Sequence, residues 1–252
     1  MNTKTPSTAL LLVASLCASC GGGGEGSSGP SPAAPSWEAA AVYLPGAASS
    51  RTTVASLATQ RASPVLIALH GCNGLGGLPA WGPDLAAAGF IVIMPDSLAR
   101  PDRAGRFTCA GTSTGTGNLD IYDKRIEEAE FAISKVQGQP WYDGRHLVLL
   151  GHSEGGFTVA RKAYSGISAA VISGYWCSGA GGMSVGSVAP TLSVSYTQDP
   201  FCFNVPGFTA PSCAGGLAGS KHVVLLGAFH SAYDTAEGRR EVIDFVRAQA
   251  VR

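Results

Sequence analysis

Leu147-Val148-Leu149-Leu150-Gly151-His152-Ser153-Glu154-Gly155-Gly156-Phe157-Thr158-Val159-Ala160 sets the architecture of this chain. Its first four residues are apolar and read as a buried strand. The residues from Gly156 onward read as a helix. Between them sits G-x-S-x-G, and that pattern between strand and helix is the context of a nucleophile elbow. The turn is so tight that its serine must adopt a strained backbone conformation. The flanking glycines remove side chains that would collide. The spacing therefore predicts Ser153 as a nucleophile whose hydroxyl stands clear of the sheet, within reach of a base. In a chain with 34 glycines the five-residue pattern carries little by itself, and its placement carries the reading.

Outward from this stretch, apolar strands alternate with helical patterns. That predicts an α/β fold, with an eight-stranded, mostly parallel sheet, helices on both faces and no large lid domain. Residues 37–44 and 51–59 read as two leading strands at an antiparallel edge. Residues 64–69, 90–94, 146–150, 169–173, 191–196 and 222–227 read as the rest. Helices are expected over 81–88, 118–136 and 235–250. The second has Ile121, Ile126, Ala129, Ala132, Ile133 and Val136 at a 3.6-residue period, with Asn118 or Asp120 as its cap.

The 252 residues suffice for one sizeable domain. Hydrophobic residues make up 45 % and charged residues 13 %, with zero formal net charge. This excludes a disordered chain and a nucleic-acid binder, which would carry a basic excess. Residues 1–19 read as a signal peptide, because the apolar run is too short to span a membrane. Leu16-Cys17-Ala18-Ser19-Cys20 resembles a bacterial lipobox. That likeness implies a lipid anchor at Cys20 of an exported, membrane-anchored lipoprotein, with plain secretion as the alternative. Residues 20–36 form a Gly/Ser/Pro tether, and residues 37–252 the domain.

Five further cysteines follow, and export makes disulfides plausible. Cys202 and Cys213 bracket a short loop, Cys72 and Cys109 could pair across two loops, and Cys177 would be left over. No spacing matches a zinc site, and neither a metal nor a cofactor is expected.

In an open α/β sheet, ligands bind beyond the carboxyl ends of the strands. Ser153, Asp199 and His230 all follow predicted strand ends. Their chain order, Ser, Asp, His, is one of the orders in which a catalytic triad occurs. His230 would take the Ser153 proton, and Asp199 would hold His230 in its tautomer. Asp96 also follows a strand end and is the rival acid. The glycine-rich turn His70-Gly71-Cys72-Asn73-Gly74 supplies an oxyanion hole, with the backbone N–H groups of Cys72 and Glu154 as donors. Tyr175, Trp176 and Phe201 follow strand ends and would line a substrate pocket. The Glu154 carboxylate is expected to lie exposed near the site.

Leu69-His70-Gly71-Cys72-Asn73-Gly74, Met94-Pro95-Asp96-Ser97, Gly-His-Ser-Glu-Gly-Gly, Asp199 and His230, in that order, resemble the dienelactone-hydrolase-related branch of the α/β hydrolases. The likeness runs from about Val42 to Ala250. Dienelactone hydrolases proper use cysteine at the elbow, where this chain has Ser153. The resemblance implies a serine hydrolase of carboxylic esters or lactones, acting through an acyl-enzyme on small or polymer-linked substrates. A prolyl-oligopeptidase-like peptidase and a noncatalytic binding lipoprotein are the alternatives.

Overall fold

The computed structural model describes residues 30–46, 50–78, 80–103, 119–177, 184–201 and 212–250. Expectations for the signal peptide, Cys20, Asn118, Cys109 and Cys202 lie outside them. The unit Ser31–Arg252 is built on one sheet. Among the described residues the sheet has seven strands, not eight: β1 (Ala41–Tyr43), β2 (Ser63–Leu69), β3 (Ile91–Met94), β4 (Tyr142–His152), β5 (Ala169–Ser173), β6 (Thr191–Tyr196) and β7 (Lys221–Leu225). Their order is β1-β3-β2-β4-β5-β6-β7. Only β1 is antiparallel to its neighbour; the other five pairings are parallel.

The leading segment departs from its reading. Residues 34–38 form helix α1 (Ala34–Glu38), with a proline in its first turn, where a missing N–H removes no helical bond. Residues 51–59 do not form a second edge strand. Thr52 bridges Val42 and the chain then winds into a 3₁₀ helix, Val54–Thr59. Here Ser56 N donates to Thr53 O at 3.1 Å and Gln60 N to Leu57 O at 3.0 Å. With β1 only three residues long, the edge has little ladder to offer, and the backbone satisfies its polar groups locally.

The parallel strands read as continuous apolar runs because both faces are covered. Alternate residues divide between two cores. Leu66, Val92, Val148, Leu150 and Val171 face α2 (Trp81–Ala87) and α5 (Ala236–Ala250), through Trp81, Leu85, Val242 and Val246. Ile67, Ile93, Leu147, Leu149 and Ile172 face α3 (Leu119–Val136) and α4 (Glu154–Arg161), through Ala129, Ile133, Val136 and Val159.

Cysteine pairing also departs from expectation. Cys213 is bonded to Cys177, not to Cys202, with the two Cα atoms 5.2 Å apart. The bond follows strand adjacency: Cys177 lies just after β5, and Cys213 N–H donates to Ser193 Oγ on neighbouring β6 at 3.4 Å. The partners are 36 residues apart. Closing a loop of that size contributes roughly 3–5 kcal/mol on the chain-entropy estimate. Cys72 is disulfide-bonded too.

Candidate active site

Ser153 lies between β4 and α4 with φ +54° and ψ −114°. It is the one non-glycine residue with positive φ among the described residues. The glycines explain how so tight a turn closes. A Cβ on Gly151 would come within 2.1 Å of Gly155 O, and one on Gly155 within 2.1 Å of Leu69 O. A serine at a helix N-cap ordinarily accepts a bond from its own helix. The Ser153 side chain makes no such cap bond. Its backbone is anchored instead: Ser153 N donates to Ser173 O, and Phe157 N to Ser153 O, both at 2.9 Å.

Asp199 is fully buried beyond the end of β6. Its Oδ1 and Oδ2 lie 2.9 and 2.7 Å from His230 Nδ1. Phe201 N–H donates to Oδ1 at 2.9 Å, which fixes the carboxylate from the other side. His230 hangs in the loop after β7. A capping box at Ser231 and Asp234 shapes that loop, and Asp234 Oδ2 accepts from the backbone of His230 at 3.2 Å and of Ser231 at 2.8 Å. The same end of β5 holds both halves of the constellation. Ser173 O accepts from Ser153 N–H, and Ser173 Oγ accepts from Ala232 N–H at 2.9 Å. Gly174, at φ +62°, lets the His230 loop close on it, since a Cβ there would lie 2.2 Å from His230 O.

Asp96 is engaged elsewhere. Its Oδ1 accepts from Leu98 N–H at 3.0 Å and lies 3.7 Å from His70 Nε2. His146 and His222 occupy the body and the start of their strands, away from the strand ends that carry Ser153, Asp199 and His230. His152 packs edge-on to His230, with centroids 4.9 Å apart. Burial, reinforced by the neighbouring His230, lowers its pKa to about 3, so it stays neutral.

The glycine-rich turn after β2 lies against Ser153: a Cβ on Gly71 would be 3.1 Å from Ser153 Cβ. His70 is wholly buried. Its Nε2 accepts from Ser97 N–H at 2.9 Å, so the ring proton is on Nδ1, which donates to Gly71 O at 2.5 Å. Burial, with the Arg125 charge second, holds its pKa well below the usual histidine value. Glu154 opens α4, and a first helical N–H has no acceptor within its own helix.

Glu154 corrects one expectation. Its carboxylate is buried, not exposed, at 8 %. Oε1 lies 2.8 Å from Arg103 Nη2 and 3.3 Å from Arg125 Nε. The pair belongs to a buried ionic network. Arg125 Nη1 meets Glu128 Oε2 at 3.0 Å, Ser97 Oγ donates to Glu128 Oε1 at 2.7 Å, and Arg103 Nη1 donates to Ser97 Oγ. Arg100 bonds Asp102 and Glu127 at the rim. None of these arginines was singled out from sequence. One signal was present: Arg125 and Glu128, an opposite-charge i,i+3 pair, interrupt the apolar stripe of α3.

Of the residues expected to contact substrate, Phe201 lies beside His230 and Tyr175 packs against Phe157 of α4. The Phe201 ring is 60 % exposed, with its centroid 4.5 Å from that of His230. Tyr175 and Trp176 are half-buried. Tyr175 packs edge-on to Phe157 at 5.3 Å, and Phe157 stacks on Tyr122 at 3.6 Å. Tyr122 and Phe157 extend this aromatic wall and were not predicted. Among the described residues no group of three His, Cys, Asp or Glu side chains is placed to hold a metal ion.

No family profile and no curated protein matches the sequence. Solved structures match in fold. The dienelactone-hydrolase-like promiscuous phosphotriesterase P91, from metagenomic libraries, superimposes with a TM-score of 0.53 at 18 % identity, covering 77 % of this chain and 88 % of its own. TT1662 from Thermus thermophilus gives 0.55 at 17 % identity, over 84 % and 94 %. The chain has the α/β-hydrolase fold, without a large lid among the described residues.

Proposed function

We propose that the protein is a serine hydrolase cleaving carboxylic esters or lactones through an acyl-enzyme. The observation that carries this reading is the strained Ser153 at the elbow, its hydroxyl unused by its own helix. Strain of this kind costs of order 1–3 kcal/mol and persists where the surroundings impose it. Ser153 Oγ attacks the substrate carbonyl while His230 takes its proton. With Nδ1 committed to Asp199, Nε2 is the nitrogen left for that transfer. The tetrahedral oxyanion is received by the N–H groups of Cys72 and Glu154. His230 then protonates the leaving alcohol, and water repeats the sequence to release the acid. Phe201, Tyr175 and Trp176 would border the bound acyl or alcohol group.

We also propose export. Disulfides at Cys177–Cys213 and at Cys72 support an oxidising compartment. No helix among the described residues is long and apolar enough to cross a membrane. A lipid at Cys20 would supply anchorage.

The test is labelling of the purified protein with a fluorophosphonate, followed by peptide mapping, beside hydrolysis of short p-nitrophenyl esters. A Ser153 adduct, with turnover abolished in a folded Ser153→Ala variant, supports the reading. Unchanged turnover in that variant overturns it. No adduct and no turnover in the folded parent favours a noncatalytic binding role.

A further inference from the structure

We propose that Arg125 is a positioning residue that sets the separation of the two oxyanion donors. The proposal rests on the ester-hydrolase reading above. The guanidinium is planar and presents five donors in a fixed fork, so its contacts have fixed relative geometry. Nη2 donates to His70 O at 2.6 Å. Nη1 bonds Glu128 on its own helix, and Nε lies 3.3 Å from Glu154 Oε1, an ion pair without a hydrogen bond. His70 directly follows β2 and precedes Cys72 by two residues. Glu154 is itself the second donor. One side chain from α3 therefore holds one wall of the oxyanion hole by a hydrogen bond and the other by an ion pair, and the two walls belong to different strand–helix junctions.

The rest of the network closes the same circuit. Ser97 holds the His70 ring through its backbone N–H and holds Glu128 through its hydroxyl. Arg103 adds a second contact to Glu154. Buried ion pairs are weak contributors to stability, because desolvation offsets their attraction. Apolar residues of similar volume would join α3 to α4 as well, as Ala129 and Val159 already do in the same core. Fixed geometry at the two donors is what the ionic arrangement adds.

Arg125→Lys keeps the charge but cannot bond His70 O and Glu128 Oε2 at fixed relative positions while also pairing with Glu154. Losing an oxyanion donor outright costs about 10²–10³ in kcat. Misplacing donors should lower kcat for p-nitrophenyl butyrate roughly 10- to 100-fold, with KM within about twofold. Affinity for phenylboronic acid should fall in parallel. Its boron accepts Ser153 Oγ as the proton passes to His230, and a tetrahedral adduct oxygen enters the hole. The pH midpoint of kcat/KM should stay in place, because His230 and Asp199 are untouched. A kcat within about threefold of the parent, a loss confined to KM, or a shifted midpoint overturns the proposal. If Arg125→Lys does not fold, Glu154→Gln keeps the N–H and weakens one arm of the clamp. It should show the same pattern at roughly three- to tenfold, and an unchanged kcat overturns the proposal equally. Failure of the ester-hydrolase reading is separate: the parent itself would show no adduct and no turnover, and this proposal would fall with it.

Discussion

On one side of Ser153 a histidine hangs in a loop against a single buried carboxylate. On the other, Arg103 and Arg125 interlock with Glu128 and Glu154 beside the glycine-rich turn after β2. The two sides differ in what they must do. A general base must change its charge during each turnover, and a fixed array of ions around it would oppose one of its two states. The donors proposed to face an oxyanion are backbone N–H groups that never titrate, so nothing is lost by locking them in place. The proposed base is left partly open to solvent, at 16 % side-chain exposure, while Arg125 is sealed completely.

The sharpest way to break this comparison is at Asp199. Asp199→Asn should leave the fold intact and reduce kcat by roughly 10⁴, as loss of the orienting acid does in the triad template. Asp96→Asn should stay within a few-fold of the parent. If the two outcomes exchange places, the base side has been misassigned.

A second experiment sharpens the contrast through pH. His70 and His152 are both held neutral by burial, their pKa values lowered in the fold. In the unfolded chain they titrate near 6.5. Below that pH the unfolded state binds more protons than the native state, so stability falls as pH falls. Each such histidine contributes at most about 1.4 kcal/mol per pH unit. Thermal unfolding should therefore give a Tm that declines from pH 7 to 5, and His70→Asn should flatten the slope. An equal slope in that variant would remove His70 as the cause.

The smallest effect is expected at the rim. Aromatic contacts are worth about 0.5–1.5 kcal/mol. Phe201→Ala should accordingly raise KM for aryl esters about two- to tenfold and leave kcat nearly unchanged. A fall in kcat alone would instead assign the Phe201 ring to holding His230 in place.

Much of the sheet was legible because parallel strands covered on both faces are uninterrupted apolar runs, as in Val65–Leu69 and Leu147–Leu150. The elbow was legible because its glycines have no substitute. Residues 51–59 were not. The β-branched Thr52, Thr53 and Val54 suit a strand, and whether a strand forms depends on a partner edge of sufficient length. The cysteine pairing was hidden for a related reason, since Cys177 and Cys213 become neighbours only after β5, β6 and β7 assemble side by side. The ionic network was obscured by its composition. Charged residues are ordinarily assigned to solvent, and the network joins three separate segments, one with Ser97 and Arg103, one with Arg125 and Glu128, and one with Glu154. The aromatic pair Tyr122 and Phe157 likewise meets only through the packing of α3 on α4.

The backbone at Ser153 has a consequence for selection. A glycine there would adopt the same φ without penalty, and the elbow would close as well. Selection on thermal endurance alone would therefore be expected to drift toward glycine at this position, and away from any use of a hydroxyl. The serine makes position 153 the place to look, across natural variants of this chain, for lineages that kept the scaffold after its chemistry was no longer under selection.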